Sequence, residues 1–344
     1  MTTASYTRAA DERVNWVKSI PFLTVHLLPL GLIFTGVRLV DWVVCLALYY
    51  GRMFFVTAGY HRYFSHRGYK VSRPVQFLMA LGGTTAVQKG PLWWAAHHRH
   101  HHRFSDTEDD IHSPMRGFWW SHVGWILCDK YTATDLDAIK DFGRYPELRW
   151  LDRYWLVPPI VLGALLFLAG GTSMLLCGFF LSTVLLWHGT YTINSITHLW
   201  GRRRFVTLDT SRNSFLLAVI TLGEGWHNNH HYWAPTANNG FFWWELDPTY
   251  YVIRAMGLLR LATDIRTPPA EVLARNRVKD GNFDIGMFHA YWGKAAAALS
   301  NARAHAGELA GARKRAVEEL ADSARATADR LSSMVPAPPN PATD

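Results

Sequence analysis

Three cysteines in 344 residues leave no material for a disulfide framework. Cys45 and Cys177 lie within apolar runs and Cys128 stands alone, so a thiolate metal site is excluded as well; a metal here would be held by nitrogen. Charge is also scarce. Asp, Glu, Lys and Arg make up 18% of the chain against 14% aromatic residues, 16 of them Trp. That is the composition of a membrane protein diluted by polar segments. The net charge of +8 could suggest nucleic acid, but the Arg and Lys are dispersed beside apolar runs. Such a pattern fits cytoplasmic loops and anionic headgroups, and no nucleic-acid partner is expected. Residues 1–19 lack a short apolar core followed by a small-residue cleavage site, so no signal peptide is expected.

Four apolar stretches are long enough to span a membrane. Ile20–Val37 matches about one bilayer thickness, with His26 its only ionisable group; a hydrogen bond between helices accounts for such a residue. A turn at Arg38 and Asp41 leads into Trp42–Gly59, which runs back with Arg52 near its far end. Trp155–Gly170 and Ser173–Ile193 form a second hairpin about Gly170-Gly171-Thr172, with Pro158-Pro159 in the first turns, where proline is tolerated. Val75–Val87 is too short to span and reads as buried or interfacial. Two hairpins put residues 1–19, 60–153 and 194–344 on one side. Lys and Arg crowd these flanks and are rare in the two turns, so that side, with both termini, is expected in the cytoplasm. The expected organisation is a cytosolic segment 1–19, a membrane and catalytic domain 20–265, and an extension 266–344. Beyond about Lys294 the extension turns to Ala, Arg and Glu with a weak apolar stripe through Leu309, Ala316, Leu320, Ala324, Leu331 and Val335, ended by Pro336. It reads as a solvated helix followed by a disordered end.

Histidine is what the sequence has in excess, 17 in all, and nine fall in four blocks on the one side. Block one is His61-Arg-Tyr-Phe-Ser-His66. An i,i+5 pair is about 140° apart on an α-helix, so these two reach one centre only if the helix frays or if metals lie on either side. Block two is His98, His101 and His102, within His98-Arg-His-His101-His102. At roughly 100° per residue, His98, His101 and His102 share a face, His100 points away and His97 lies at the margin. Block three is Asn194-Ser-Ile-Thr-His198, with i,i+4 spacing. Block four, His227-Asn-Asn-His230-His231, repeats the spacing of block two. Imidazole suits iron, zinc, copper or nickel. Nine ligands exceed the three or so of a single catalytic zinc and fit two ions better. Asp106, Glu108, Asp109, Asp110 and Glu224 stand beside the blocks as candidate acceptors for ligand N–H groups.

Together with Gly223-Glu-Gly-Trp ahead of His227 and the segment Arg116-Gly-Phe-Trp-Trp-Ser-His-Val-Gly-Trp125, these blocks resemble the membrane acyl-CoA desaturases of the stearoyl-CoA (Δ9) type over about residues 20–265. The resemblance implies an all-α integral membrane fold: four transmembrane helices in two hairpins, capped by a cytosolic helical domain with a di-metal centre. It implies two Fe ions, for which Zn could substitute. The direct ligands would be His61, His66, His98, His101, His102, His198, His227, His230 and His231, with Asn194 acting through a water. The implied reaction dehydrogenates a saturated acyl chain with O2 and two electrons, leaving a cis double bond. The electrons would come from a separate donor of the ferredoxin, cytochrome b5 or reductase type. Gln88, Trp94 and Thr190 match positions shaping the bend of the acyl tunnel, which favours a Δ9-like position. Tyr49 and Met53 match positions near its blind end; the larger Met53 would shorten the tunnel and favour palmitoyl over stearoyl chains.

The chain departs from that pattern where the carrier is recognised. An Arg-Asp pair before His98 is replaced by Ala96-His97, and an Arg-Lys pair by Asp129-Lys130. Arg116 and Lys130 remain as possible headgroup contacts, and acyl-CoA is the first expectation, with acyl carrier protein or an intact lipid open. Two other functions fit part of the pattern: a membrane hydroxylase or ketolase with a similar site, and a non-catalytic metal-binding membrane protein.

Overall fold

The computed structural model describes residues 9–278 and 287–333. The chain divides into two compact units, Met1–Met287 and Phe288–Asp344. In the first, helix α1 (Trp16–Thr35) opens with the Asn15 side chain accepting the Lys18 N–H at 3.1 Å. It tightens to a 3-10 turn at Leu28–Gly31, around Pro29, and stops at Gly36. Helix α2 (Leu39–Ser65) runs back, and its start is fixed by Asp41, whose carboxylate accepts from the Arg38 N–H at 2.9 Å and the Arg38 guanidinium at 2.7 Å.

From Phe55 to Ser65 the turns of α2 widen to the π form. After α2 come strand β1 (Lys70–Val71) and α3 (Arg73–Thr84). Much of the Val75–Val87 stretch therefore forms a short helix packed on the wide turns, not a span. Gly82 and Gly83 permit the contact, because a Cβ there would lie 2.4 Å from the rings of Phe55 and Tyr60. Helix α4 (Pro91–Phe104) carries block two. Its free N-terminal amides at Leu92 and Trp93 donate to Asp152 at 3.1 and 2.8 Å, from the end of α6 (Pro146–Arg153), which follows the short α5 (Phe118–His122).

The helical run α7 (Val157–His198) has 42 residues. Straight, it would reach roughly 63 Å, about twice the apolar thickness of a bilayer. It breaks at Gly171, whose φ of 71° and ψ of −160° are essentially reserved for glycine. Its two arms fold together, with Gly163 against Leu175 and Phe179. The turn beyond α1 meets this break: Arg38 donates to the Gly170 carbonyl at 2.7 Å, and the Ser173 hydroxyl donates to Asp41. Among the described residues three helical runs, α1, α2 and α7, are long and apolar enough to cross a membrane.

Two polar links cross this apolar bundle. Arg52, buried, donates to Ser182 and Thr183 at 2.5 and 2.8 Å. His26 lies 3.1 Å from His188, and His188 lies 3.0 Å from His122, which reaches Ser195 at 2.9 Å. The interhelical hydrogen bond expected for His26 is thus one end of a three-imidazole chain tying α1 and α5 to α7.

Beyond α7 the polypeptide is mostly loop, with α8 (His227–Tyr232) and α9 (Pro248–Leu258) embedded in it. Strand β2 (Ala262–Thr263) pairs antiparallel with β1, the one two-stranded sheet among the described residues. The chain stays on this body past the 265 boundary. Arg266 exchanges backbone bonds with Gly68 and Ala237, and Val278 donates to Arg204. The second unit contains α10 (Met287–Ser333), whose described side chains are almost all exposed, as a solvated helix requires. Val335, Pro336 and the expected disordered end lie outside the described residues.

Candidate metal centre

The widened turns of α2 resolve the spacing of the first block. An i→i+5 bond joins the His66 N–H to the His61 carbonyl at 3.2 Å. His66 therefore sits one wide turn above His61, and their rings lie 4.9 Å apart between centroids. On α4 and α8 the triads divide in opposite senses. His98 and His102 join His61, His66 and His230 in one group, and His101 joins His198, His227 and His231 in another. Within each group one nitrogen from every ring lies within 4.8 Å of the others. All nine rings of the four blocks thus converge. The stacked His102 and His231, 4.5 Å apart, connect the two groups.

Facing nitrogens test whether ions fit. The Nε2 atoms of His61 and His230 are 2.9 Å apart, those of His66 and His98 and of His102 and His230 2.8 Å. In the second group the separations are 3.0 Å for His198–His227 and 3.4 Å for His101–His231. Two nitrogens at about 2.1 Å from one ion and at right angles are about 3.0 Å apart, so these spacings suit adjacent ligands.

Carboxylates fix which nitrogen is free. Nδ1 of His101 lies 2.9 Å from Asp110, Nδ1 of His231 2.7 Å from Asp209, Nδ1 of His198 3.2 Å from Asp106, and Nδ1 of His61 2.5 Å from Glu224. A neutral ring that donates through Nδ1 presents a lone pair at Nε2. Lone pairs aimed at one another in a buried space repel unless a cation lies between them. Burial first, then crowding by the other imidazoles, holds His98, His102, His227 and His230 well below the usual imidazole range, so these four rings stay neutral, whereas the Asp106 carboxylate raises His198 despite its burial. Burial opposes ionisation of Asp106, yet His198 and Thr210 bring it to about 2. The residues present fit two cations, one in each group.

Asp106, Asp110 and Glu224 thus act as the sequence suggested, whereas Glu108 and Asp109 face a surface cleft. Asp209 was not legible: it lies 22 residues from His231, with no spacing to mark it. Nor were the anchors of block four. Asn228 and Asn229 are buried, and both backbone N–H groups donate to the Asn213 side-chain oxygen Oδ1 at 2.9 and 3.1 Å. Glu224 is braced by the buried Arg62, itself held by Asp247 at 2.9 Å. A tenth ring, His112, lies against His101, tilted by 32° with the centroids 4.1 Å apart.

Against the first group lies a cavity of about 420 Å³ whose wall includes His98, His112, Asn194, Trp94, Gln88 and Thr190. Gln88 bonds both neighbours, donating to Thr190 at 3.0 Å and accepting from the Trp94 indole at 3.3 Å. Asn194 faces this space. Tyr49 and Met53 do not: they pack behind Trp187 and Tyr191, with the Tyr49 hydroxyl on the Ile220 carbonyl at 2.9 Å.

The two headgroup candidates both pair with Glu12. Arg116 is buried, 2.8 Å from Glu12 and 3.9 Å from the Trp120 ring centroid, because a cation taken from water needs a partner. Lys130 reaches the same carboxylate at 2.8 Å. It also borders the surface cleft, of about 490 Å³, together with Glu108, Asp109 and Asp135.

An apolar helical frame bearing a two-part imidazole cage at the head of a greasy cavity defines a protein that brings a hydrocarbon to metal positions. Its family is equally definite. The family model described as "Fatty acid desaturase" matches residues 39–264, and the chain belongs to that family. It is 38% identical over 280 residues to the sn-2 palmitoyl-lipid 9-desaturase of Nostoc, covering 78% of this chain and 98% of that protein. The Delta-9 acyl-lipid desaturase 2 of Arabidopsis thaliana is 38% identical over 260 residues, 75% and 84% of the two chains. The Acyl-CoA C20 Delta5-desaturase of Anemone leveillei is 38% identical over 229 residues, 65% and 73%. The chain is a fatty acyl desaturase.

Proposed function

We propose that this desaturase introduces a cis double bond at a Δ9-like position into an acyl chain carried by a membrane glycerolipid, with two irons held by the nine histidines. The balance is one saturated –CH2–CH2– unit, O2, two electrons and two protons, giving –CH=CH– and two waters. The observation that carries the reading is the junction of cage and cavity: His98 belongs to the first metal group and to the cavity wall.

When bound, the irons would supply the O2-dependent oxidising power for removing hydrogen from carbon. The first would be held by His61, His66, His98, His102 and His230, the second by His101, His198, His227 and His231, with Asn194 near enough to the cavity to act through a water. The chain's own residues position and exclude. Trp94 and Thr190, joined by Gln88, fix where the acyl chain turns, and so which methylenes lie by the cage. Trp93, Trp125 and Trp187 keep the space apolar. Asp106, Asp110, Asp209 and Glu224 hold the Nδ1 protons, leaving Nε2 free.

A four-helix topology is supported by the break at Gly171 and by its tie to Arg38 and Asp41, the residues of the other turn. Lys and Arg flanking the cage side favour a cytoplasmic site. Lipid in preference to CoA is supported by the burial of Arg116 and by three carboxylates beside Lys130 in the cleft, a poor setting for phosphates. The names of the Nostoc and Arabidopsis relatives point the same way. A separate electron donor completes the scheme. The test is turnover of the iron-loaded protein in phospholipid nanodiscs with a reductase and ferredoxin. Gas chromatography should show a cis-9 monounsaturated chain in the phospholipid; a hydroxylated chain, or product only from added palmitoyl-CoA, would reverse the reading.

A further inference from the structure

A second apolar hollow, also about 420 Å³, lies among the membrane-spanning helices. It is bordered by Val25 of α1, by Pro159, Gly163 and Ala164 of the first arm of α7, and by Phe179 of the second arm. Thr183 is its one polar lining residue, and that side chain spends its hydroxyl on the Phe179 carbonyl at 2.7 Å. Nothing there would bind a headgroup, an ion or a peptide backbone. Its outer wall faces outward from the bundle, since Ile160 is 64% exposed and Ala164 is exposed as well. In a membrane that outward side is acyl chain.

This hollow adjoins the catalytic cavity. Val25, Val87 and Leu156 border both. Val87 is held at φ 58°, an unusual conformation for a β-branched residue, and it immediately precedes Gln88 of the Trp94–Thr190 link. A chain passing from the outer face to the catalytic cavity would have to move past these shared residues, and would arrive beside Gln88, Trp94 and Thr190. Where the cavity meets the cytosolic end of the helices it is bordered by Lys18, Ser19, Thr132 and Trp155, polar and indole groups of the kind found at headgroup level.

We propose that the gap between α1 and the first arm of α7 is a lateral portal through which an acyl chain of a bilayer glycerolipid slides sideways into the catalytic cavity. Val25 and Leu156 are its jambs. The headgroup stays in the interface and never passes through the aqueous phase. The proposal rests on the desaturase reading for its purpose and not for its test.

The protein is assembled, metal-loaded, in phosphatidylcholine nanodiscs containing a phosphatidylcholine with a diazirine on one acyl chain. After irradiation, adducts are mapped by peptide mass spectrometry. In wild type, adducts are expected on the peptide spanning residues 87–94 and on that spanning 156–164. Ala164→Trp, at an exposed wall position, and Val25→Phe should each lower the 87–94 adduct at least tenfold, with the overall yield on other membrane-facing peptides unchanged. An unchanged 87–94 adduct in both variants would overturn the portal, as would 87–94 labelling in wild type with none at 156–164. Labelling of wild type without any desaturated product would remove the desaturase reading while leaving the portal standing.

Discussion

Asp209→Asn is the substitution whose outcome the geometry fixes most tightly. One carboxylate oxygen, Oδ1, accepts from the Ser211 N–H at 3.0 Å, the Ser211 hydroxyl at 2.5 Å and the Thr207 hydroxyl at 2.9 Å. The other, Oδ2, faces His231 Nδ1 at 2.7 Å. The Ser211 backbone can only donate, so the oxygen of an asparagine must take the Oδ1 place. Its –NH2 then faces His231 Nδ1, which has to become an acceptor. The ring proton moves to Nε2, and the lone pair offered to the second metal group is lost. Loss of such an orienting partner typically costs 10- to 100-fold in metal affinity, about 1.4–2.7 kcal/mol. Anaerobic competition titration with a chelating dye should show one metal equivalent weakened by that factor and the other unchanged. Two unaltered equivalents would refute the tautomer argument; loss of both would mean that the groups do not fill independently.

Three further outcomes follow from the same structure. Gly171→Ala places a side chain where φ is 71° and ψ −160°, and should cost about 1–3 kcal/mol; a thermal midpoint in detergent equal to wild type would contradict the break. His98, His102, His227 and His230 have lowered proton affinity when folded, so below about pH 6.5 the unfolded chain binds more protons than the folded one. Metal-free protein should therefore lose stability as pH falls from 7.5 to 5.5, and a rise in midpoint over that window would reverse the sign. Thr190→Val removes the acceptor for Gln88 and should redistribute double-bond positions more than it lowers total turnover; mass spectrometry of product adducts showing only the original isomer would count against the positioning role.

The histidine blocks were legible because ligand chemistry demands one residue type at helical spacing, and α4 and α8 are ordinary α-helical turns. Block one was not, since the i→i+5 winding of α2 is set by packing on α3 and no residue pattern in Phe55–Ser65 announces it. The long apolar helices were legible from apolar length, although the described residues form three runs, the last of them broken at Gly171. Asp209, Asn213 and Arg62 escaped notice because their partners lie far off in sequence, joined by loops. The surroundings of Met53 and Arg116 were hidden for a related reason. A side chain's position along the chain does not say whether it faces a cavity or a neighbour, and Glu12, which captures Arg116, comes from the far N-terminal segment.

The most direct measurement is iron per chain in protein loaded and purified without oxygen. Two equivalents, with Mössbauer parameters of two distinct high-spin ferrous sites in nitrogen-rich coordination, are expected from a five-imidazole group beside a four-imidazole group. One equivalent or none under saturating iron would contradict the claim that these nine rings form a two-metal cage.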